Sequence, residues 1–345
     1  MLVKLGDLFS DEYLEKLGFS RKSLSGHKMV ADILENDTVD VTLKVMSKRL
    51  QESRDGKKFL LLTLADRSGE IRAVDWFNAT ENDAKIKVNS VVRIRGRVMM
   101  YMDKLQINID KERDALMVLN KEEYDSSLFI AVTKKDVNKM YSEFRSLINE
   151  VNKQHLRELI KIPFEDSNFV EKFLKAPAAI IVHHAYRGGL LEHTLGVMKL
   201  CKSIGQLYPD INKDLLIVGA AVHDVGKIYE YKIEPHGIER TTEGELIGHI
   251  VLGAKMINDW AEKIPGFPKK DLYHLTHMVL SHHGELEWGS PTLPKTLEAV
   301  ILHHADDLDS KIGQINSLKE KNGKAEWSDY DRYLGRKVML NWDEF

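Results

Sequence analysis

The hydrophobic period of this chain changes twice, and those changes limit what it can fold into. Between about residues 37 and 117 apolar side chains recur at every second position. Val39, Val41, Leu43 and Val45 form one row. Leu60, Leu62 and Leu64 form another, with Phe59, Leu61 and Thr63 on the opposite face. Ile71 and Ala73 lead into Asp75-Trp76-Phe77, and Val92, Ile94, Val98, Leu105, Ile107 and Ile109 follow. A period of two is that of strands with one buried face. The rows predict about five strands, with turns at Asp55-Gly56 and Ser68-Gly69.

From about residue 118 onward the spacing is helical, over 135–160, 190–207, 212–226, 246–263, 269–283 and 293–312. Pro265, Pro268, Pro291 and Pro294 punctuate these stretches. Residues 1 to about 36 also carry helical spacing through Leu5, Leu8, Phe9, Tyr13, Leu14 and Leu17, with no function beyond packing or partner contact. The expected organisation is a helical segment over 1–36, an all-β barrel over 37–117 and an all-α domain over 118–345 with its core at 183–312. Five short strands in about 80 residues make the OB-fold the leading candidate for the barrel. At 345 residues the chain has room for two domains.

One cysteine, Cys201, excludes an internal disulfide and fits a reducing compartment. No apolar run approaches the ~20 residues that cross a bilayer, and the acidic N-terminus does not read as a secretory signal. The expectation is a cytoplasmic protein.

Net charge is -3, but it is unevenly spread: residues 37–117 carry 16 Lys+Arg against 13 Asp+Glu, so the remainder is acidic. A nucleic-acid strand needs a positive track and a metal site needs carboxylates. In the barrel Phe59, Trp76, Phe77 and Tyr101 are candidate stacking residues. Lys57, Lys58, Arg72, Arg93, Arg95 and Arg97 are candidate phosphate contacts.

Twelve of the 14 histidines fall between His183 and His304. Imidazole is the commonest metal ligand and the usual acid–base group near neutral pH. The central element is His223-Asp224-Val-Gly226-Lys227 at the end of an apolar helix. There one nitrogen and one carboxylate can reach the same ion, and the second carboxylate oxygen can reach another. Lys227 lies close enough in sequence to meet a phosphate as a point charge. Around this pair stand Gly188 to His193, then Gly248-His249, then Ser281-His282-His283-Gly284, then His303 to Asp309. His183, His184 and Arg187 precede the series and either contact phosphate or pack. His236, His274 and His277 have no place in it and read as structural. Trp288 and the segment bounded by Pro294 either cover the pocket or form a subunit contact.

The order His, His-Asp, His, His-His, Asp resembles the HD superfamily of metal-dependent phosphohydrolases. That resemblance implies a first metal on His193, His223, Asp224 and Asp306, and a second on Asp224, His249 and His282 or His283. Asp306 rather than Asp307 fits the pattern His-x-Ala-Asp-x-Leu-Asp. Nitrogen and oxygen ligands without thiolate suit a divalent ion such as Mn²⁺, Mg²⁺, Co²⁺, Fe²⁺ or Zn²⁺. The implied chemistry is in-line attack on a phosphodiester by metal-activated water, with Asp224, Lys227 and Arg187 as catalytic residues.

The stretch from Asp55 through Trp76 resembles OB-folds of the tRNA-anticodon type, which bind single strands. The barrel-then-HD order, with Gly-Gly-Leu-Leu-Glu-His and the stretch Glu285 to Pro291, is similar to the YhaM family of 3′→5′ exoribonucleases over about residues 37–315. The similarity implies trimming of single-stranded RNA, or DNA, from the 3′ end, with Mn²⁺ as activating ion; a homo-oligomer is compatible with it. The competing readings are a nucleotide or cyclic-nucleotide phosphohydrolase with a regulatory barrel, and a non-catalytic nucleic-acid-binding protein with a structural metal site.

Overall fold

Strict alternation makes each strand bury one face, and the strands close on themselves to do so. In the computed structural model, residues 9–19, 27–102, 104–125, 128–180, 184–234, 237–323 and 325–342 are described. The chain divides into two compact units, one formed by Ser20–Ala131 with Ile233–Gly237, the other by Met1–Phe19, Val132–Lys232 and Ile238–Phe345.

The first unit is a barrel of β1 (Thr38–Glu52), β2 (Lys58–Asp66), β3 (Gly69–Asp75), β4 (Val91–Tyr101) and β5 (Lys104–Ile109). The strand order is β1-β2-β3-β5-β4, and an additional β1–β4 pairing closes the ring. β3 and β5 run parallel, all other pairs antiparallel. A sixth strand, β6 (Leu116–Leu119), extends the sheet along β4 and falls at the edge of the expected barrel. The interior holds the predicted rows, from Val39, Val41 and Leu43 to Ile107 and Ile109. β1 outruns its expected end because a register shift between Val45 and Ser47 lets it stay paired with β2 to Glu52. A bulge of this kind bends a strand so that one strand serves two neighbours. The short helix α2 (Ala79–Lys85) lies between β3 and β4.

The second unit is helical around one apolar core. Phe9, Leu17 and Phe19 belong to that core, so the short N-terminal helix α1 (Asp11–Lys16) packs within this unit. Leu5 and Leu8 lie outside the described residues. The expected helix over 135–160 is two helices, α3 (Val137–Asn149) and α4 (Gln154–Phe164). The Asp214 carboxylate accepts the backbone N–H groups of Asn152 and Lys153 and so stabilises the break. A further short helix, α5 (Ser167–Lys175), follows. Next come α6 (Gly189–Leu207), α7 (Lys213–Val222), α8 (Lys227–Glu230), α9 (Thr242–Leu246), α10 (His249–Ala261), α11 (Lys269–Ser281) and α12 (Leu297–Asn322). A small hairpin of β7 (Tyr231–Glu234) and β8 (Gly237–Arg240) interrupts the run of helices. No helix is long and apolar enough to cross a membrane among the described residues.

Candidate metal centre and strand-binding face

Five helices each deliver part of one cluster. His193 lies near the start of α6, and His223 and Asp224 follow the end of α7. His249 opens α10, His282 and His283 follow α11, and Asp306 lies within α12. Gly226 permits the close approach of two of these: a Cβ there would sit 2.1 Å from the His249 carbonyl oxygen.

The donor atoms form two sets that share one carboxylate. His193 Nε2 lies 3.1 Å from Asp306 Oδ1, 3.4 Å from Asp224 Oδ2 and 3.3 Å from His223 Nε2. His223 Nε2 is 3.4 Å from the same Asp224 oxygen. The other oxygen, Asp224 Oδ1, lies 3.5 Å from both His249 Nε2 and His282 Nε2. Ring nitrogens of His249, His282 and His283 come within 4.8 Å of one another. Asp224 therefore turns one oxygen to each set.

The ring tautomers follow from what the far nitrogens touch. Nδ1 of His223, His282 and His283 lies 2.8, 2.7 and 2.9 Å from the carbonyl oxygens of Ala220, Val279 and Trp288 respectively. A carbonyl only accepts, so each Nδ1 carries the hydrogen and each Nε2 presents its lone pair to the cluster. His193 Nδ1 is 2.8 Å from Asp309 Oδ2, and His249 Nδ1 is 2.5 Å from Glu230 Oε2. Such outer partners hold ligating imidazoles in orientation.

Asp224 Oδ1 and His249 Nε2 are buried and have no hydrogen-bond partner among the described residues. Buried polar atoms in that state are rare and costly unless something else satisfies them. They belong to the same donor set, and an all-nitrogen and oxygen set fits a hard or borderline divalent ion. The electrostatics agree. Burial opposes charge on His193, yet Asp224, Asp306 and Asp309 raise its pKa well above the ordinary imidazole value. Burial, with His282 and His249 beside it, pushes His283 down to about 3, which keeps its lone pair available throughout the neutral range. Burial would raise both the buried Asp224 and the partly buried Asp306, but Lys227, His223 and His193 hold Asp224, and His193, His223 and His282 hold Asp306, well below the usual carboxylate range.

Lys227 Nζ donates to Asp224 Oδ2 at 2.6 Å and is itself buried. Asp307, the next residue of α12, pairs instead with Lys311. Arg187 is not brought to the cluster: its guanidinium donates to the Leu17 carbonyl oxygen at 2.9 Å, and burial lowers its pKa. His183 and His236 lie outside the described residues. His184 Nε2 reaches Asp309 at 3.2 Å and so adjoins the cluster from behind His193. His274 bonds Thr296, and His277 accepts the Lys295 N–H. Glu230 and Asp309 were not among the expected site residues. Asp309 had a signal, since it falls one helical turn after Asp306 on the same face; Glu230 had none.

Replacing Asp309 by Asn is expected to weaken divalent-ion affinity at the His193 set by about 10–100-fold, because His193 loses its carboxylate partner. Titration of the chelated protein with metal reads this directly. Wild-type affinity in Asp309→Asn would remove the positioning role.

In the barrel, the outward rows of β2, β3, β5 and β4 meet in one face. Phe59 and Trp76 stack with ring centroids 4.6 Å apart. Asp75 fixes the turn that presents Trp76 and Phe77 by accepting the N–H groups of Phe77 and Asn78, both at 2.9 Å. Asp66 closes the Leu-x-Asp turn by accepting from Ser68 and Val30. Arg72 stands opposite Thr63 and Gln106, and Arg97 opposite Asn108, on the same outward rows. Among the described residues neither arginine has an acidic partner. Lys57 Nζ lies 5.3 Å from the Phe77 ring centroid, and Lys58 and Tyr101 are exposed. Arg93 and Arg95 differ: Arg93 forks onto Asp40 at 2.7 and 2.5 Å, and Arg95 pairs with Asp114 at 2.6 Å. Their charges are largely compensated within the barrel.

A buried His/Asp cluster of this order on converging helices defines a metal-dependent phosphohydrolase of the HD class. Residues 190–311 match the HD domain family, and residues 39–115 match the OB-fold nucleic acid binding domain family. The chain is 33% identical over 298 residues to a Geobacillus protein named 3'-5' exoribonuclease YhaM, an alignment covering 85% of this chain and 88% of the relative. A Listeria monocytogenes protein of the same name is 30% identical over 302 residues, covering 88% and 94%. The chain belongs to this YhaM family.

Proposed function

We propose that this protein is a divalent-metal-dependent 3′→5′ exoribonuclease acting on single-stranded RNA, with both metal sets built on Asp224. The observation that carries the reading is the split of that carboxylate, Oδ2 toward His193 and His223 and Oδ1 toward His249 and His282. His193, His223, Asp224 and Asp306 would hold one ion, and Asp224, His249, His282 and His283 the other, with Mn²⁺ the preferred species. When bound, such ions supply Lewis acidity and lower the pKa of water so that no side-chain nucleophile is required. Asp224 sets the spacing of the two donor sets, and Lys227 holds that carboxylate while placing a cation beside the reacting phosphate. Glu230 and Asp309 keep His249 and His193 turned inward. Phe59 and Trp76 stack bases of the strand, with Arg72, Lys57 and Lys58 on its phosphates. The single cysteine, Cys201, is buried and its thiol is pushed up to about 12, which supports an unreactive role and a reducing, cytoplasmic setting.

Incubation of the protein with Mn²⁺ and 5′-labelled single-stranded RNA is expected to give a ladder of shortened products that a chelator abolishes and Mn²⁺ restores. Release of phosphate from free nucleotides with the RNA untouched would point to a nucleotide phosphohydrolase. Binding without turnover would reduce the cluster to a structural site.

A further inference from the structure

The loop between α11 and α12 carries a tryptophan that the fold does not bury. Residues Leu286–Trp288 form a single turn, and Gly289 takes a positive φ of 85° to reverse the chain after it. The Trp288 side chain is 56% exposed. Its own carbonyl oxygen, however, is fixed 2.9 Å from His283 Nδ1, so the residue is tied to the cluster by its backbone. His303 lies beside the indole with ring centroids 6.1 Å apart and an interplanar angle of 46°. His303 is tied by its ring instead, its Nδ1 lying 2.9 Å from the His282 carbonyl oxygen. Gly284, at a positive φ of 81°, makes room for that ring: a Cβ there would lie 2.1–2.4 Å from three His303 ring atoms. Trp288 is thus held at its backbone by the His283 ring, His303 is held at its ring by the His282 backbone, and the indole stands largely exposed between them and solvent.

We infer that Trp288, backed by His303, seats the base of the 3′-terminal nucleotide. An enzyme that removes nucleotides from an end has to register that end relative to the cluster. A flat ring fixed to the ligand-bearing segment does so for any base, because every base offers a π-face. Leu286, in the same turn, is exposed as well, and apolar groups left open together beside a polar site mark a binding surface where a single one would not. Trp288 is a positioning residue here; the phosphodiester chemistry stays with the cluster. The inference rests on the exonuclease reading above.

The test compares two 5′-labelled single-stranded RNAs that differ only at the last nucleotide, one carrying a base and one abasic. The wild-type protein with Mn²⁺ is expected to shorten the base-ended RNA with a kcat/KM about tenfold higher. In Trp288→Ala that ratio falls to near one, and in Trp288→Phe it is largely retained. The ratio is internal to each preparation, so a partly folded variant does not alter it. An unchanged ratio in Trp288→Ala overturns the inference. So does an equal fall on both RNAs accompanied by lost metal, which would mean that Trp288 only supports His283. If the wild-type protein shortens neither RNA, the exonuclease reading itself fails and this inference with it.

Discussion

Alanine at Asp224 is expected to lower RNA hydrolysis on the order of a thousandfold or more and to strip metal from both donor sets. The argument is geometric. One carboxylate serves His193 and His223 through one oxygen, and His249 and His282 through the other. Loss of a single histidine, as in His283→Ala, touches one set and should leave the other loaded. Loss of Asp224 touches both and removes the charge that holds Lys227. Two-metal sites draw their rate from opposed ions at fixed spacing, so activity should fall with the bridge rather than in proportion to ligands removed. A complication is stability: Lys227 would be left buried and unpaired, at a cost of about 3–5 kcal/mol. Asp224→Asn preserves shape and some hydrogen bonding, and a double change of Asp224→Ala with Lys227→Met removes both charges. Metal content per chain, thermal melting and RNA turnover should be measured on all of them. Two ions per chain and near wild-type turnover in Asp224→Asn would overturn the bridging role.

The residues of the cluster were legible because their order along the chain is a pattern and each falls within a helix or at its end. His193, His223, Asp224, His249, His282, His283 and Asp306 are brought together by five helices that the apolar spacing had marked. Their outer partners were not legible. Glu230 meets His249 because of how the residues after Asp224 turn, which no local spacing encodes. Arg187 illustrates the same limit from the other side. Its guanidinium is taken up by a carbonyl 170 residues earlier in the chain, at Leu17. The break between α3 and α4 depends on Asp214, about 60 residues downstream. α12 outruns its expected end at 312 because its later turns are exposed and polar, so the apolar stripe fades while the helix continues to Asn322. In the barrel, alternation revealed the strands but not their register. Only the closing β1–β4 pairing places Arg93 diagonal to Asp40, the partner that neutralises it.

That register separates the barrel's cations by expected effect. Replacing both Phe59 and Trp76 by alanine should weaken single-stranded RNA binding by about a hundredfold while leaving its salt dependence intact. A base stacked on an aromatic ring is worth about 1–3 kcal/mol, and the loss from the two changes should be less than additive because these rings already stack on each other. Arg72→Ala should act differently, with a smaller loss of affinity but a salt slope reduced by about one, since one phosphate contact and its released counterion disappear. Arg93→Ala should change neither quantity appreciably: its guanidinium is already committed to Asp40, and that pairing raises the arginine's pKa and lowers the aspartate's. Anisotropy of labelled RNA across a range of KCl concentrations, with metal chelated so that the strand survives, measures all three. Affinity within twofold of wild type in the Phe59/Trp76 double variant would mean that the strand does not use this face. A salt slope lost in Arg93→Ala but kept in Arg72→Ala would place the phosphates on the β1–β4 side, where the Asp40 pair would have to open for RNA.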